Sequence, residues 1–195
     1  MMKKTILLAA AAFALSGCFG GAKVPDTLMT LNAAQARAAA TPRTAAEGQA
    51  ITVAVPTVPR ELETLRIPVH ESELGVSYLK NAQWVEMPAT LFARLVSETI
   101  AATTGRVVLD PKQFTFDPGQ RLTGSLQRFG YDASSGQGVA IYDAALARQG
   151  GGVTTQRFEA RVPAATPDAA GVGAALNQAA NQIATDVARW VGGGA

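Results

Sequence analysis

Apolar residues recur at intervals of three and four positions in one stretch near the middle of the chain, which is the spacing of one face of an α-helix. Its larger apolar members are Leu91, Phe92, Leu95, Val96 and Ile100. Pro88 lies just ahead of them, where its fixed φ suits a first helical turn, and Gly105 follows, where a helix often ends. The pattern predicts a helix from Pro88 to Gly105.

A second stretch with the same spacing runs from about Asp168 to Val191. Its apolar members are Val172, Leu176, Ala179, Ala180, Ile183, Val187 and Trp190. Polar residues fill the positions between them, so one face of this predicted helix is apolar and the other is polar. The sequence therefore predicts two principal helices.

Between the two helices, three longer segments predict β-strands with glycine-containing turns between them. They are Gln120–Asp132, Gln137–Arg148 and Val153–Val162, separated by Ser134–Gly136 and Gly150–Gly152. We expect an antiparallel meander.

In the last of these segments, alternate residues are predicted to lie on opposite faces of the sheet. One face carries Thr154, Gln156, Phe158, Ala160 and Val162. The other face carries Val153, Thr155, Arg157, Glu159 and Arg161. We expect one face to pack against the core and the other to meet water or a partner.

Shorter apolar stretches predict further strands at Asp26–Leu31, Ala50–Pro56, Leu65–Val69, Leu74–Leu79 and Arg106–Leu109. Pro68 favours an edge position for its strand because it cannot donate a backbone hydrogen bond. Residues 32–49 contain few bulky side chains and predict a tether or loop. The expected fold class is α+β, a mainly antiparallel β-sheet with two principal helices packed on it as a two-layer sandwich.

The N-terminus has the pattern of a secretory signal peptide. Lys3 and Lys4 precede an apolar stretch, Thr5–Leu15, that is shorter than the roughly 20 residues needed to span a bilayer. Leu15, Ser16, Gly17 and Cys18 follow, and they resemble the lipobox of bacterial lipoproteins. The alternative is an ordinary secretory signal in which the cysteine falls at the cleavage point by chance.

The lipobox interpretation divides the chain into three parts. Residues 1–17 are the signal peptide, and residues 18–49 are the lipidated N-terminus and a flexible tether with a candidate first strand. Residues 50–195 are the folded domain, with a start near residue 26 as the alternative. Cys18 is the predicted lipidation site, and more than one acyl chain gives stable anchoring. Phe19 is not the aspartate that retains enterobacterial lipoproteins in the inner membrane, which favours the inner leaflet of the outer membrane.

Composition narrows the classes of partner. The chain has 17 basic and 15 acidic side chains, and two of the basic ones, Lys3 and Lys4, lie in the predicted signal peptide. The mature chain is therefore formally neutral, and it has no basic cluster with interleaved aromatics, so we expect no nucleic-acid partner. The single cysteine excludes an internal disulfide.

Catalytic patterns are scarce. The single histidine, His70, has no neighbouring cysteine or carboxylate cluster at metal-ligand spacing and is interpreted as a surface-loop residue. Ser125 lies in a predicted strand without the glycine pattern of a nucleophile elbow. We therefore predict no enzyme activity, no metal site and no cofactor apart from the covalent lipid on Cys18.

Candidate interface residues lie in the predicted sheet. An uncompensated arginine set on the meander, Arg121, Arg128, Arg157 and Arg161, marks either a partner surface or a solvated strand face. Tyr78 and Trp84 are aromatic residues of the kind enriched at interfaces, and Trp84 also suits a core. The predicted partner interface comprises Tyr78, Trp84, Arg128 and Arg157.

The segment 65–100 resembles the ABC-type transport auxiliary lipoproteins, the family that includes the intermembrane transport lipoprotein PqiC. In that family an apolar strand is followed by a tyrosine, then a tryptophan, then a proline that opens a helix. The corresponding residues here are Tyr78, Trp84 and Pro88. Further matching segments are Tyr131–Tyr142, Gln156–Phe158 and Leu176–Trp190. One departure is Thr27–Thr30, where many members have a tyrosine-rich first strand.

The resemblance implies a non-catalytic periplasmic lipoprotein that accompanies an ABC permease, its ATPase and an MCE-domain periplasmic protein. Such systems move lipids or other hydrophobic molecules between the inner and outer membranes. The resemblance also implies docking on the MCE component and a ring of like subunits. Two alternatives remain, an assembly or structural lipoprotein of another outer-membrane machine and a periplasmic hydrolase based on His70 or carboxylates.

Overall fold

A computed structural model describes residues 25–34, 44–46, 48–110 and 119–193. Two helices, α1 (Pro88–Thr104) and α2 (Ala169–Val191), pack on one face of a seven-stranded sheet. The strands are β1 (Ala50–Val53), β2 (Arg66–His70), β3 (Val76–Gln83), β4 (Val108–Leu109), β5 (Gly119–Asp132), β6 (Gln137–Arg148) and β7 (Val153–Pro163). A 3₁₀ turn, Arg60–Leu62, precedes β2. The predicted α+β class is confirmed.

Strand β5 organises the sheet because both of its edges are used. Along one edge it pairs antiparallel with β6, which pairs antiparallel with β7, so the predicted meander is confirmed. Along the other edge it pairs in parallel with β1 at its start and with β2 at its end. β4 extends the sheet beside β1 and β3 extends it beside β2.

The edge position predicted for Pro68 is wrong, because β2 lies between β3 and β5. Pairing with β5 joins Val69 to Tyr131, one residue after the proline, so the missing N–H is not needed there. Gly130 makes the approach feasible, since a Cβ at this position would lie 2.5 Å from the Pro68 carbonyl oxygen. The edge strand on this side is β3.

The helix boundaries follow the predicted signals. Pro88 begins α1, and Gly105 ends it with a φ of 70°, in the left-handed region that glycine adopts without strain. Asp168 caps α2, because its Oδ1 accepts a hydrogen bond of 2.9 Å from the Gly171 N–H. Both helices turn their apolar residues to the sheet and to each other.

The predicted alternation in β7 holds only over its second half. Phe158, Ala160 and Val162 are buried, as expected. Thr154 and Gln156 share their face but are exposed, so the packed part of the strand begins at Phe158. The alternate residues on the other face are all exposed.

The predicted first strand is reduced to a single bridge at Met29, which pairs in parallel with Trp84. Residues 32–34, predicted to belong to a flexible tether or loop, are instead bound to α2. Asn177 Oδ1 accepts from the Asn32 N–H at 2.9 Å, and Asn181 Oδ1 accepts from the Ala34 N–H at 2.7 Å. The docked chain therefore starts well before residue 50.

An aromatic cluster fills the core between the sheet and α1. Trp84 stacks on Phe129 with ring centroids 5.4 Å apart, and Phe92 meets Phe129 and Tyr142 edge to face. Burial raises the pKa of Tyr142 well above its ordinary value, and its hydroxyl donates to the Thr123 carbonyl oxygen at 3.1 Å. The core thus joins β3, α1, β5 and β6.

The turn between β5 and β6 is fixed by the carboxylate of Asp132. It accepts hydrogen bonds from the Ser134 hydroxyl at 2.6 Å and from the backbone N–H groups of Ser134 and Ser135. Arg128 adds an ion pair at 3.0 Å. Hydrogen bonding from Ser134, with smaller contributions from Ser135 and Arg128, lowers the pKa of Asp132 to about 2.

We expect Asp132→Asn to lower the free energy of unfolding at neutral pH by about 1–2 kcal/mol, with allowance for solvent screening. Because the pKa of Asp132 is lower in the folded chain than in the unfolded chain, the ionised carboxylate stabilises the fold above about pH 4. That contribution is lost as the pH falls towards 2. Urea unfolding of wild type and variant between about pH 4 and pH 2 measures this loss of stability, with Asp186→Asn as the control. A wild-type-to-variant difference independent of pH would contradict the assignment.

Replacing Trp84 with alanine is expected to lower the free energy of unfolding by about 3–5 kcal/mol, because a fully buried ring leaves a cavity. Trp84→Phe should cost less, since it keeps a ring against Phe129. Val85→Ala, at the exposed neighbour, should change stability by only about 0.5 kcal/mol. Denaturant unfolding monitored by circular dichroism separates the three variants. Similar losses for Trp84→Ala and Val85→Ala would show that the ring stacking contributes little.

Candidate interaction surface

The face of the sheet turned away from the helices carries the four predicted arginines. The register places Asp143 opposite Ser125 on one side and opposite Arg157 on the other, so these three residues share a face. By the same pairing, Arg121, Arg128 and Arg161 lie on this face. We call it the helix-free face. The prediction that these arginines lie on the meander is confirmed, and they are brought to one surface.

The description of these arginines as uncompensated is wrong for three of them. Arg157 donates to both carboxylate oxygens of Asp143, at 2.6 and 2.7 Å, a bidentate geometry that lowers the pKa of Asp143. Arg161 lies 2.6 Å from Glu159, and Arg128 pairs with Asp132. Local sequence hides the first of these pairs, because Asp143 is 14 residues from Arg157 and joins it only through sheet register. Glu159 and Asp132 are only two and four residues from their arginines.

Arg121 differs from the other three because it forms no ion pair with any residue in the described parts of the chain. It lies opposite Ala147 and is exposed. The helix-free face is therefore a nearly neutral surface of ordered ion pairs with one additional positive charge, and it is not a basic patch.

Tyr78 lies on the edge strand β3, opposite Pro68 of β2, and the register places it on the helix-free face as well. Its ring is covered by the Arg66 guanidinium, 4.2 Å from the ring centroid, and its hydroxyl lies 3.4 Å from the Glu61 carbonyl oxygen. The ring is half-buried between these groups. Tyr78 thus shares a face with Arg128 and Arg157, but β2 separates its strand from β5, and its ring and hydroxyl already contact Arg66 and Glu61.

The interface interpretation of Trp84 is wrong. Its side chain has no exposed surface and is stacked on Phe129 in the core. A partner cannot contact it in this fold. The wide apolar ring suits both roles, and only its position between β3 and α1 distinguishes them.

The prediction that His70 is a surface-loop residue is wrong. It is the last residue of β2, only partly exposed, with Nε2 3.2 Å from a carboxylate oxygen of Glu61 at an angle outside that of a hydrogen bond. Ser125 is a strand residue, as predicted, and its hydroxyl donates to the Thr57 carbonyl oxygen at 3.3 Å. Within residues 25–34, 44–46, 48–110 and 119–193, no three histidine, cysteine or acidic side chains are grouped as a metal site would require.

Exposed aliphatic side chains are the feature that sequence patterns missed. Leu74 is 98% exposed at the tip of the β2–β3 hairpin. Leu28, Leu65 and Val85 are exposed around the bridge between Met29 and Trp84. The turn composition around Leu74, with Ser72 before it and Gly75 after it, is the local signal that places this leucine outside the core.

Lipobox residues Leu15, Ser16 and Gly17 and the predicted lipidation site Cys18 lie outside the described residues. In the part of the chain that is described, neither helix combines the length and apolar character needed to cross a bilayer.

Comparison with solved structures shows the same fold in other proteins. A Xanthomonas campestris protein of the DUF330 family has a TM-score of 0.70 at 20% identity, over 85% of this chain and 94% of that one. A second, uncharacterised protein has a TM-score of 0.65 at 16% identity, over 74% and 93% of the two chains. No curated protein matches this sequence.

The family model of the ABC-type transport auxiliary lipoprotein component matches residues 30–188. The match begins one residue after the Met29 bridge and ends three residues before the end of α2, so it includes all seven strands, the whole of α1 and most of α2. This chain belongs to the family of ABC-type transport auxiliary lipoproteins.

Proposed function

We propose that this chain is a non-catalytic periplasmic subunit of an MCE-type ABC transport system, held at the inner leaflet of the outer membrane by acyl chains on Cys18. The family match over residues 30–188 is the observation that carries the proposal. The lipobox-like Leu15–Cys18 precedes the matched region, which is the order that a lipid-anchored domain requires. The transported molecules are lipids or other hydrophobic compounds.

A binding role is supported by what the described side chains do. His70 faces Glu61, and the Ser125 hydroxyl is engaged with a backbone carbonyl. Nucleophilic catalysis needs a nucleophile and a base in hydrogen-bonding contact, and these two residues are committed to other contacts. The absence of a contact between this serine and this histidine fits a docking module better than a hydrolase.

The helix-free face is the proposed docking surface for the periplasmic MCE partner. α1 and α2 cover the opposite face of the sheet, so a partner can reach the sheet from the helix-free face. Three of its arginines, Arg128, Arg157 and Arg161, are held in place by Asp132, Asp143 and Glu159. Side chains that are already ordered lose less conformational entropy on association, which favours binding.

Cys18→Ala is expected to abolish acylation, because no other thiol exists in the chain. Metabolic labelling with palmitate and intact-mass analysis of the membrane-extracted protein check it. The variant should accumulate as precursor or as mislocalised protein. Equal label in wild type and variant would contradict Cys18 as the lipidation site.

Affinity capture from solubilised membranes is expected to retrieve the MCE-domain protein with wild-type chain and to lose most of it with Arg157→Glu. The substitution breaks the Asp143 pair and reverses a charge on the helix-free face. Arg189→Glu is the matched control, because Arg189 is 65% exposed and paired with Asp186, whereas Arg157 is 63% exposed and paired with Asp143.

Two outcomes of this capture would count against the proposal. Equal loss of the partner with both variants would remove the helix-free face as the docking surface. Absence of any MCE-domain protein from the wild-type capture, with the tag accessible, would oppose the transport assignment itself.

A further inference from the structure

Three exposed aliphatic side chains surround the place where the N-terminal segment joins the sheet. Leu28 is 41% exposed, Leu65 is 37% exposed and Val85 is 53% exposed. Leu28 and Val85 share a face, because the parallel pairing of Met29 with Trp84 turns these two residues inward and their chain neighbours outward. Leu65 lies on the adjacent segment, where its carbonyl accepts from the Trp84 N–H at 2.8 Å. We call this group the tether-side patch.

The tether-side patch is close to the proposed lipid anchor along the chain. Leu28 lies ten positions after Cys18, and a chain of that length spans at most about 35 Å even when fully extended. Because Leu28 is part of the tether-side patch, the acylated Cys18 keeps the patch within about 35 Å of the membrane surface. The lipid surface is therefore present at high effective concentration beside it.

Charges around the tether-side patch are balanced by pairing. Glu86 forms an ion pair with Arg94, and Glu63 forms one with Arg60. Asp26 and Arg66 contribute one further charge of each sign. An anionic headgroup surface thus meets no net negative charge here.

The other end of the β2–β3 hairpin has the opposite character. Glu71 and Glu73 flank the turn there, and neither forms an ion pair with a residue in the described ranges. Anionic headgroups would repel this tip, although Leu74 on it is almost fully exposed. The two ends of the hairpin are therefore distinguished by charge, and the balanced end is the one beside the N-terminal segment.

We propose that the tether-side patch rests on the lipid surface to which the chain is anchored, and that the β2–β3 hairpin points its Leu74 tip away from that surface. The inference rests on the acylation of Cys18 in the proposed function. The acyl chains supply the main attraction, and the patch sets the orientation of the domain. Three side chains cover too little area for a stable protein interface of about 800 Å² per partner, which disfavours a second copy as the occupant.

The experiment uses the acylated full-length chain in vesicles of phosphatidylethanolamine and phosphatidylglycerol. Acylation consumes the thiol of the single native cysteine, so Val85→Cys introduces the only thiol available for an environment-sensitive nitrobenzoxadiazole dye. Leu74→Cys is the matched control, since it also replaces an exposed aliphatic residue. Leu28→Cys provides a second label within the tether-side patch.

We expect the dye at residues 85 and 28 to shift to the blue and to lose about half of its emission to a doxyl-labelled lipid, as a side chain at the headgroup boundary does. The dye at residue 74 should remain in its aqueous spectrum and be unquenched. Vesicle flotation of each labelled protein is measured in parallel.

Protein that floats with the vesicles but shows no quenching at residues 85 and 28 would overturn the orientation and leave the anchor intact. Failure to float would overturn the anchor and the orientation together. A blue shift that grows with protein concentration and ignores the lipid quencher would assign the tether-side patch to a second copy. Equal quenching at residues 74 and 85 would show that the domain has no fixed orientation.

Discussion

Pairing along both edges of β5 is the constraint on which the rest of this fold depends. β6 covers one edge for the whole length of the strand, whereas β1 and β2 divide the other edge between them. Each of these pairings must be satisfied at once, and the close approach of β2 needs a residue without a side chain at Gly130. The aromatic cluster then packs on the inner face that this arrangement creates. Loss of register in β5 would therefore disturb the sheet and the core together.

A register shift between Leu126 and Arg128 links this constraint to the surface. Before the shift, Leu122 and Leu126 point inward, and after it Phe129 does so, although strict alternation would have turned Phe129 outward. The same shift turns Arg128 to the helix-free face. One irregular position thus supplies both the ring that stacks on Trp84 and one of the arginines of the proposed docking surface.

Local sequence patterns were sufficient to predict the helices and strands whose packing or pairing partners are near in sequence. Both helices carry capping residues beside a clear apolar spacing, and the meander strands are joined by short turns. The parallel pairings of β1 and β2 with β5 were not predicted, because they join residues 69 and 62 positions apart and leave no local periodicity. Pro68 was assigned to an edge for the same reason, since what permits its inner position is Gly130, far along the chain.

The roles of individual side chains were likewise predictable only where they depend on residues near in sequence. The four arginines were recognised as one group from their position on the meander strands. The partner of Arg157 follows from sheet register, which the sequence does not display, whereas Glu159 and Asp132 lie only two and four residues from Arg161 and Arg128. Trp84 was ambiguous because a large apolar ring suits a core and an interface equally, and His70 was placed in a loop because β2 extends one residue farther than its apolar stretch. The tether-side patch was missed because its three residues come from three separate segments.

The hydrogen bonds from Asn177 and Asn181 to residues 32–34 join the two ends of the domain in space. Asn181 holds the segment from both sides, since it accepts from Ala34 and its amide donates to the Asn32 carbonyl oxygen at 2.9 Å. A pull on the N-terminus is consequently shared between the edge of the sheet at Met29 and the last helix, instead of peeling one strand at a time. Tension on the N-terminal segment therefore loads the last helix as well as the edge of the sheet.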